Sequence, residues 1–183
     1  MKRVSLASAC AILLAAAPAF AQSKSDQGVG VGAKVGLIFA NTDAIASNTN
    51  TGFIGGLWFG GNRDGVMGLQ GEILYAKKGS TTNGVATDLY FLEIPVMLRL
   101  NIGKVYGVAG PAFDILLKGA QKDLDVKSNF NELNVSFVGG GGVEVARFLI
   151  EARAMWGLRN LSITGLPEFH DRSLAVLVGL RFN

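Results

Sequence analysis

Leu174-Ala-Val-Leu-Val-Gly-Leu-Arg-Phe-Asn183 closes the chain and alternates without a slip. Leu174, Val176, Val178, Leu180 and Phe182 fall on one face; Ser173, Ala175, Leu177, Gly179 and Arg181 fall on the other. Successive strand side chains point to opposite faces, so this run predicts a strand with one wholly apolar side. It ends on an aromatic beside an arginine that the pattern turns inward.

Seven further segments carry the same pattern. In the first, Val29, Val31, Ala33, Val35, Leu37 and Phe39 oppose Gly30, Gly32, Lys34, Gly36 and Ile38. In the second, Phe53, Leu57 and Phe59 oppose Ile54, Gly56 and Trp58, a less decisive split because both sides are apolar. Met67, Leu69, Gly71, Ile73 and Tyr75 oppose Gly68, Gln70, Glu72, Leu74 and Ala76; Tyr90, Leu92, Ile94, Val96, Leu98 and Leu100 oppose Phe91, Glu93, Pro95, Met97 and Arg99. The fifth segment, 105–117, is expected to slip at Gly110-Pro111, so that Tyr106 and Val108 lead into Phe113, Ile115 and Leu117 with Asp114 opposite. Leu133, Val135, Phe137, Gly139, Gly141, Val143 and Val145 then oppose Asn134, Ser136, Gly140, Gly142 and Glu144. In the seventh, Phe148, Ile150, Ala152, Ala154, Trp156 and Leu158 oppose Glu151, Arg153 and Arg159. Pro95 and Pro111 cannot donate to a ladder, so a local bulge is expected at each.

The connections at 61–65, 101–104 and 146–147 are tight, whereas those at 40–51, 77–88, 118–132 and 159–172 are long. Long and short alternate strictly. In an up-and-down barrel this order places the long loops at one end and both termini at the other, as in outer-membrane barrels with short periplasmic turns. The pattern therefore predicts an all-β fold, an eight-stranded antiparallel up-and-down transmembrane β-barrel.

The apolar face carries no charge, and a charge there costs roughly 2–4 kcal/mol at the bilayer midplane. The opposite face collects Lys34, Arg99, Arg153, Arg159 and Arg181 with Glu72, Glu93, Asp114, Glu144 and Glu151. Ten charges of balanced sign inside a barrel can pair, which offsets their desolvation. A soluble barrel of lipocalin type would show the same alternation turned inside out. Three features oppose it: a glycine-rich, sparsely charged polar face, the ordered loop lengths, and aromatics near strand ends. Phe39, Phe53, Tyr75, Tyr90 and Trp156 lie near the long loops, and Phe59, Tyr106, Phe148 and Phe182 near the short turns. Two aromatic belts match two membrane interfaces.

Compartment follows from the other end. Lys2 and Arg3 precede an apolar run over 11–17, and Ala19-Phe20-Ala21 offers a small-x-small cleavage pattern. Residues 1–21 are thus expected to be a signal peptide and 22–183 the barrel domain. The run is too short for a membrane helix, which needs about 20 apolar residues. Cys10, the only cysteine, leaves with the leader, and the apolar run continues past it instead of stopping as at a lipidation site. The chain holds 17 basic and 14 acidic residues, and losing Lys2 and Arg3 brings the mature balance close to neutral, so no nucleic-acid partner is implied. Only 17% of residues are charged, below the roughly 25–35% of a soluble surface.

Gly52-Phe-Ile-Gly-Gly-Leu57, Gly68-Leu-Gln-Gly-Glu-Ile-Leu-Tyr-Ala-Lys-Lys-Gly79, Tyr90-Phe-Leu-Glu-Ile-Pro95 and Tyr106-Gly-Val-Ala-Gly-Pro111 resemble the outer-membrane β-barrel family that includes PorT-like, porin-family proteins. The resemblance covers nearly all of the mature chain. Its specific pieces are Glu-x-Leu-Tyr and Leu-Glu-Ile-Pro. It implies an eight-stranded barrel in the outer membrane with no defined activity and no catalytic residues. For some PorT-like members it implies a role in secretion, which no residue here discriminates.

Enzymatic and ligand chemistry finds little support. Gly139-Gly-Gly-Gly142 lacks the Lys-Ser/Thr and the helix of a phosphate loop and is read as strand that leaves space for facing side chains. Asp123, Asp125 and Glu132 do not match a calcium loop and are read as solvated loop charge. Glu72 and Glu93 are read as partners of interior arginines instead of an acid–base pair. His170, beside Asp171 and Ser173, would be required by a lipid-modifying hydrolase, the second alternative function. The first alternative is a narrow pore for ions or small solutes, although aqueous channels need about 16 strands. The leading expectation is a non-enzymatic barrel without cofactor or metal, serving envelope structure or surface interaction through four long loops. Its expected partners are outer-membrane lipid, the barrel-assembly machinery that would read the terminal aromatic, and an unknown extracellular ligand.

Overall fold

A computed structural model describes residues 29–42, 47–62, 65–82, 85–121, 124–125, 133–158 and 171–182. The signal segment, Arg159 and His170 lie outside them. The strands are β1 (Val29–Thr42), β2 (Ser47–Asn62), β3 (Met67–Thr82), β4 (Val85–Ile102), β5 (Val105–Gln121), the two-residue β6 (Leu124–Asp125), β7 (Leu133–Val145), β8 (Phe148–Gly157) and β9 (Asp171–Arg181). All pairings are antiparallel. Neighbours in sequence pair in space, β6 only extends the end of β5, and β1 pairs with β9, so eight strands close the wall.

The alternation sets which face turns inward. On β9, Leu174, Val176, Val178 and Leu180 are exposed, whereas Ser173, Ala175, Leu177 and Arg181 are buried. The same split holds on β1, β3, β4, β7 and β8, and on β2 Trp58 and Ile54 turn inward while Phe53, Leu57 and Phe59 face out. The outward face is therefore an apolar wall, and its large exposed side chains are the surface that lipid covers.

Two expectations on β4 and β5 are corrected. There is no slip at Gly110-Pro111: Tyr106, Val108, Ala112, Asp114 and Leu116 are all buried, so one alternation runs through. Tyr106 consequently leaves the aromatic belt for the interior. Nor does a bulge occur at either proline, since Pro95 pairs with Ala112, Leu98 with Ala109, and Pro111 with Phe137 in unbroken register. The pairing lapses at Ile94–Pro95 on the β3–β4 seam and at Gly110–Pro111 on the β4–β5 seam, and the register resumes unchanged beyond each gap. The irregularity on the β4–β5 seam lies instead between Tyr90 and Phe91, opposite Leu117.

The loop lengths are also corrected. Ala40 pairs with Asn50, and Thr82 with Val85, so most of 40–51 and 77–88 is paired strand. β2 to β5 run 16 to 18 residues, beyond the 9–11 that cross a bilayer. These hairpins carry the wall past the membrane, where polar residues are allowed on both faces. On the outer face that boundary is marked by Lys77 and Asp88, paired at 2.9 Å. Directly beneath it stack Phe53, Tyr75 and Tyr90, with ring centroids 5.8 and 6.1 Å apart. Phe137 and Trp156 form a second pair at 6.4 Å. At the other end Gly103 and Ala146 take positive φ in two-residue turns, the conformation such tight hairpins require.

Candidate functional site

The inward residues build a packed lumen. Its central layer is a closed ring of four charges from β1, β3 and β8. Lys34 Nζ lies 2.7 Å from Glu72 Oε1 and 2.7 Å from Glu151 Oε2. Arg153 donates from Nη1 to Glu72 Oε2 at 2.8 Å and from Nε to Glu151 Oε1 at 2.7 Å; its Nη2 also pairs with Glu151. All four side chains are fully buried. Two cations thus meet two anions, and each carboxylate bridges both cations. Tyr106 donates its hydroxyl to Glu151 Oε2 at 2.8 Å, supplying a further bond to the anion. Such dense satisfaction is what allows buried ions to persist despite desolvation.

Gln70 links this ring to a second layer nearer the short turns. Its Nε2 donates to Glu72 at 2.7 Å, and its Oε1 accepts from Arg99 Nη1 at 3.1 Å. Arg99 and Arg181 share Glu144, at 2.5 and 2.8 Å. Arg99 stacks its guanidinium 3.7 Å from the Tyr106 ring, and Arg181 lies 5.0 Å from that of Trp58. These contacts replace water with π faces on otherwise desolvated cations. Asn101 accepts from Arg99 Nε at 2.8 Å and donates to the Asn62 and Gly65 carbonyls, tying this layer to the β2–β3 turn.

A third layer lies toward the long hairpins. Glu93 pairs with Lys78 at 2.9 Å, beside buried Asp114 and Asn134. Apolar side chains fill much of the remaining lumen, among them Ile38, Ile54, Leu74, Met97, Val138, Met155 and Leu177.

Glycines make room for the largest inward groups. A Cβ on Gly30 would lie 2.6 Å from both Trp58 and Arg181, and one on Gly142 only 2.7 Å from the Tyr106 ring. Gly140 similarly faces Arg153. The Gly139–Gly142 run is strand opposite bulky side chains, not a phosphate loop.

Of the ten charges expected inside, nine lie among the described residues, and all nine are buried. Lys78 is also buried, although the sequence pattern places it in a loop over 77–88. Extending the Met67–Tyr75 alternation by three residues would have turned it inward. Glu72 and Glu93 are held by different cations and form no carboxylate pair, and Glu93 takes a lysine where an arginine was expected. No group of three or more His, Cys, Asp or Glu side chains suited to a metal occurs among the described residues.

Comparison with known proteins agrees with this architecture. A family model described as an outer membrane protein beta-barrel domain matches residues 20–162. No curated protein sequence matches the chain significantly. Among solved structures, Neisserial surface protein A superposes with a TM-score of 0.56 at 12% identity, over 84% of this chain and 96% of its own. Ail, the attachment invasion locus protein of Yersinia pestis, gives 0.52 at 13% identity, over 84% and 99%. At such identities the likeness is one of fold. The apolar outer wall, the charged lumen and the family match lead to one conclusion: this chain belongs to the outer-membrane β-barrel domain family and is a small integral protein of the outer membrane.

Proposed function

We propose that the protein is a non-enzymatic, non-conducting barrel that serves envelope structure or surface interaction through the hairpins and loops at its long-loop end. The observation that carries this reading is the fully buried Lys34–Glu72–Arg153–Glu151 ring. Its members reach in from β1, β3 and β8 and bond one another across the lumen. With Gln70 and the Arg99–Glu144–Arg181 layer beneath, it supports a lumen filled by side chains, as eight strands favour. A filled lumen leaves the projecting hairpins as the surface for contacts. Ail, a structural neighbour, is by name an attachment protein and has been solved with a heparin analogue, which is compatible with a surface role here. Residues 1–21 would direct export, and Phe182, outward at the end of β9, would serve recognition by the assembly machinery.

Planar-bilayer recording of the purified, refolded protein tests the reading. Membranes should show no stepwise conductance of porin size; regular open channels would refute the filled lumen. For the enzymatic question, the lipid profile of a deletion strain should match that of the parent.

A further inference from the structure

We propose that a cleft in the outer wall, on β1, β8 and β9 toward the long-loop end, binds a phosphorylated glycolipid with several acyl chains, of the lipid A class. The cleft, about 330 Å³, lies between the outward side chains of Phe39, Ala154, Trp156, Arg172 and Leu174. Met155 and Ser173 also border it. The register gathers these residues: Leu174 pairs with both Phe39 and Ala154, and Arg172 pairs with Trp156. The Phe137–Trp156 ring pair sets the cleft at the level of a membrane interface. Outer-membrane barrels turn their long-loop end outward, so that interface belongs to the outer leaflet.

Arg172 is the one charged side chain among the described residues that line the cleft. It already has an interaction within the chain, but a guanidinium carries five donors in a fork that matches phosphate. It can therefore hold that partner and a lipid phosphate together. Its apolar stem lies comfortably along the wall while its head stays at headgroup level.

Below the cleft the wall is cut back to small side chains. Ala154 pairs with Gly139, and Gly139 with Ala109; two residues nearer the short turns, Ala152 pairs with Gly141, and Gly141 with Gly107. All six share the outward face, since Val108, Val138 and Arg153 between them are buried. Larger side chains frame this trough, Leu98 and Leu100 on β4 and Leu174 and Val176 on β9. Leu98 and Leu174 stand four strand spacings apart along the wall, roughly 19 Å at about 4.8 Å each, wider than one acyl chain.

Nothing inside the chain requires the outward glycines. Gly30, Gly140 and Gly142 each spare a bulky inward group. A Cβ on Gly107, by contrast, would meet nothing nearer than the Gly140 carbonyl oxygen at 3.8 Å, and one on Gly139 only the Trp156 ring at 3.4 Å. Glycine within a strand gives up packing and often marks the close approach of a ligand or another backbone; here that approach is from the lipid side. A second copy of the barrel would need only the trough. A basic cleft joined to the trough fits a phosphate with acyl chains hanging beneath it, and a two-chain phospholipid would leave part of the width unfilled.

Native mass spectrometry of the full-length mature protein, refolded in detergent and titrated with diphosphoryl lipid A or with phosphatidylglycerol, tests the site. Folding of each variant is checked by heat-modifiable gel mobility. Wild type should retain one lipid A, and should do so at a lower lipid concentration than for phosphatidylglycerol. Arg172→Gln should weaken lipid A binding roughly tenfold, the worth of one charge-assisted hydrogen bond. It should also cease to distinguish diphosphoryl from dephosphorylated lipid A. Gly107→Leu, which fills the trough, should weaken binding of both forms alike. The proposal is overturned if wild type holds phosphatidylglycerol as tightly as lipid A, or if either folded variant retains lipid A as wild type does. It is equally overturned if wild type is a dimer that Gly107→Leu separates, since a second copy would then fill the trough.

Discussion

Glu72→Gln is the most incisive perturbation of the lumen. Glu72 bonds Lys34 at 2.7 Å and Arg153 at 2.8 and 3.2 Å, and accepts from Gln70 at 2.7 Å. The amide keeps the shape but removes the charge, leaving two buried cations to share Glu151. Removing one partner of a buried ion pair typically costs about 3–5 kcal/mol, and the residual Glu151 contacts place the expected loss toward the lower end. Adding Arg153→Gln restores charge balance, because Lys34 and Glu151 remain as a neutral pair. The double variant should therefore lose less than the two single losses combined, with a coupling of about 1–3 kcal/mol. Urea unfolding of protein refolded into lipid vesicles provides the assay. Trp58, 5.7 Å from Lys34 Nζ and 5.0 Å from the Arg181 guanidinium, provides the fluorescence signal. A Glu72→Gln barrel within about 0.5 kcal/mol of wild type, the range of an ordinary surface change, would refute the reasoning that this ring is held by mutual charge satisfaction.

Further outcomes follow from other parts of the molecule. Val176→Arg, on the outward face at the middle of β9, should cost about 2–4 kcal/mol in vesicle unfolding. Gly142→Val should crowd the Tyr106 ring and disturb its bond to Glu151, costing about 1–3 kcal/mol by the same assay. Ala146→Gly should stabilise by up to about 1 kcal/mol in thermal unfolding, since Ala146 holds φ 55° in a two-residue turn.

What the sequence discloses and what it hides have physical causes. Inward and outward faces were legible because strand alternation is local: Leu177 and Val178 differ in environment simply because they are adjacent. Tyr106 and Val108 are misplaced by the sequence pattern because Gly110-Pro111 reads as a register slip, whereas the proline only opens a short gap in the β4–β5 ladder and the register resumes unchanged. The β1–β2 and β3–β4 hairpins read as loops because their upper halves stand beyond the bilayer and lose the apolar stripe. Pairings inside the lumen were illegible for another reason. Lys34 meets Glu151 across 117 positions of sequence, and only the stagger of the closed wall decides which inward layers face one another.

The central claim is that the alternating strands stand in a bilayer with their apolar faces on lipid. Residues 22–183 contain no cysteine, so single cysteines can be placed along β9 at 174 to 180 and spin-labelled in vesicles. Oxygen accessibility should peak at positions 174, 176, 178 and 180 and drop at 175, 177 and 179, with a water-soluble relaxant excluded from the even series. Free access of that relaxant to the even positions would contradict the account, because the wall would then face water.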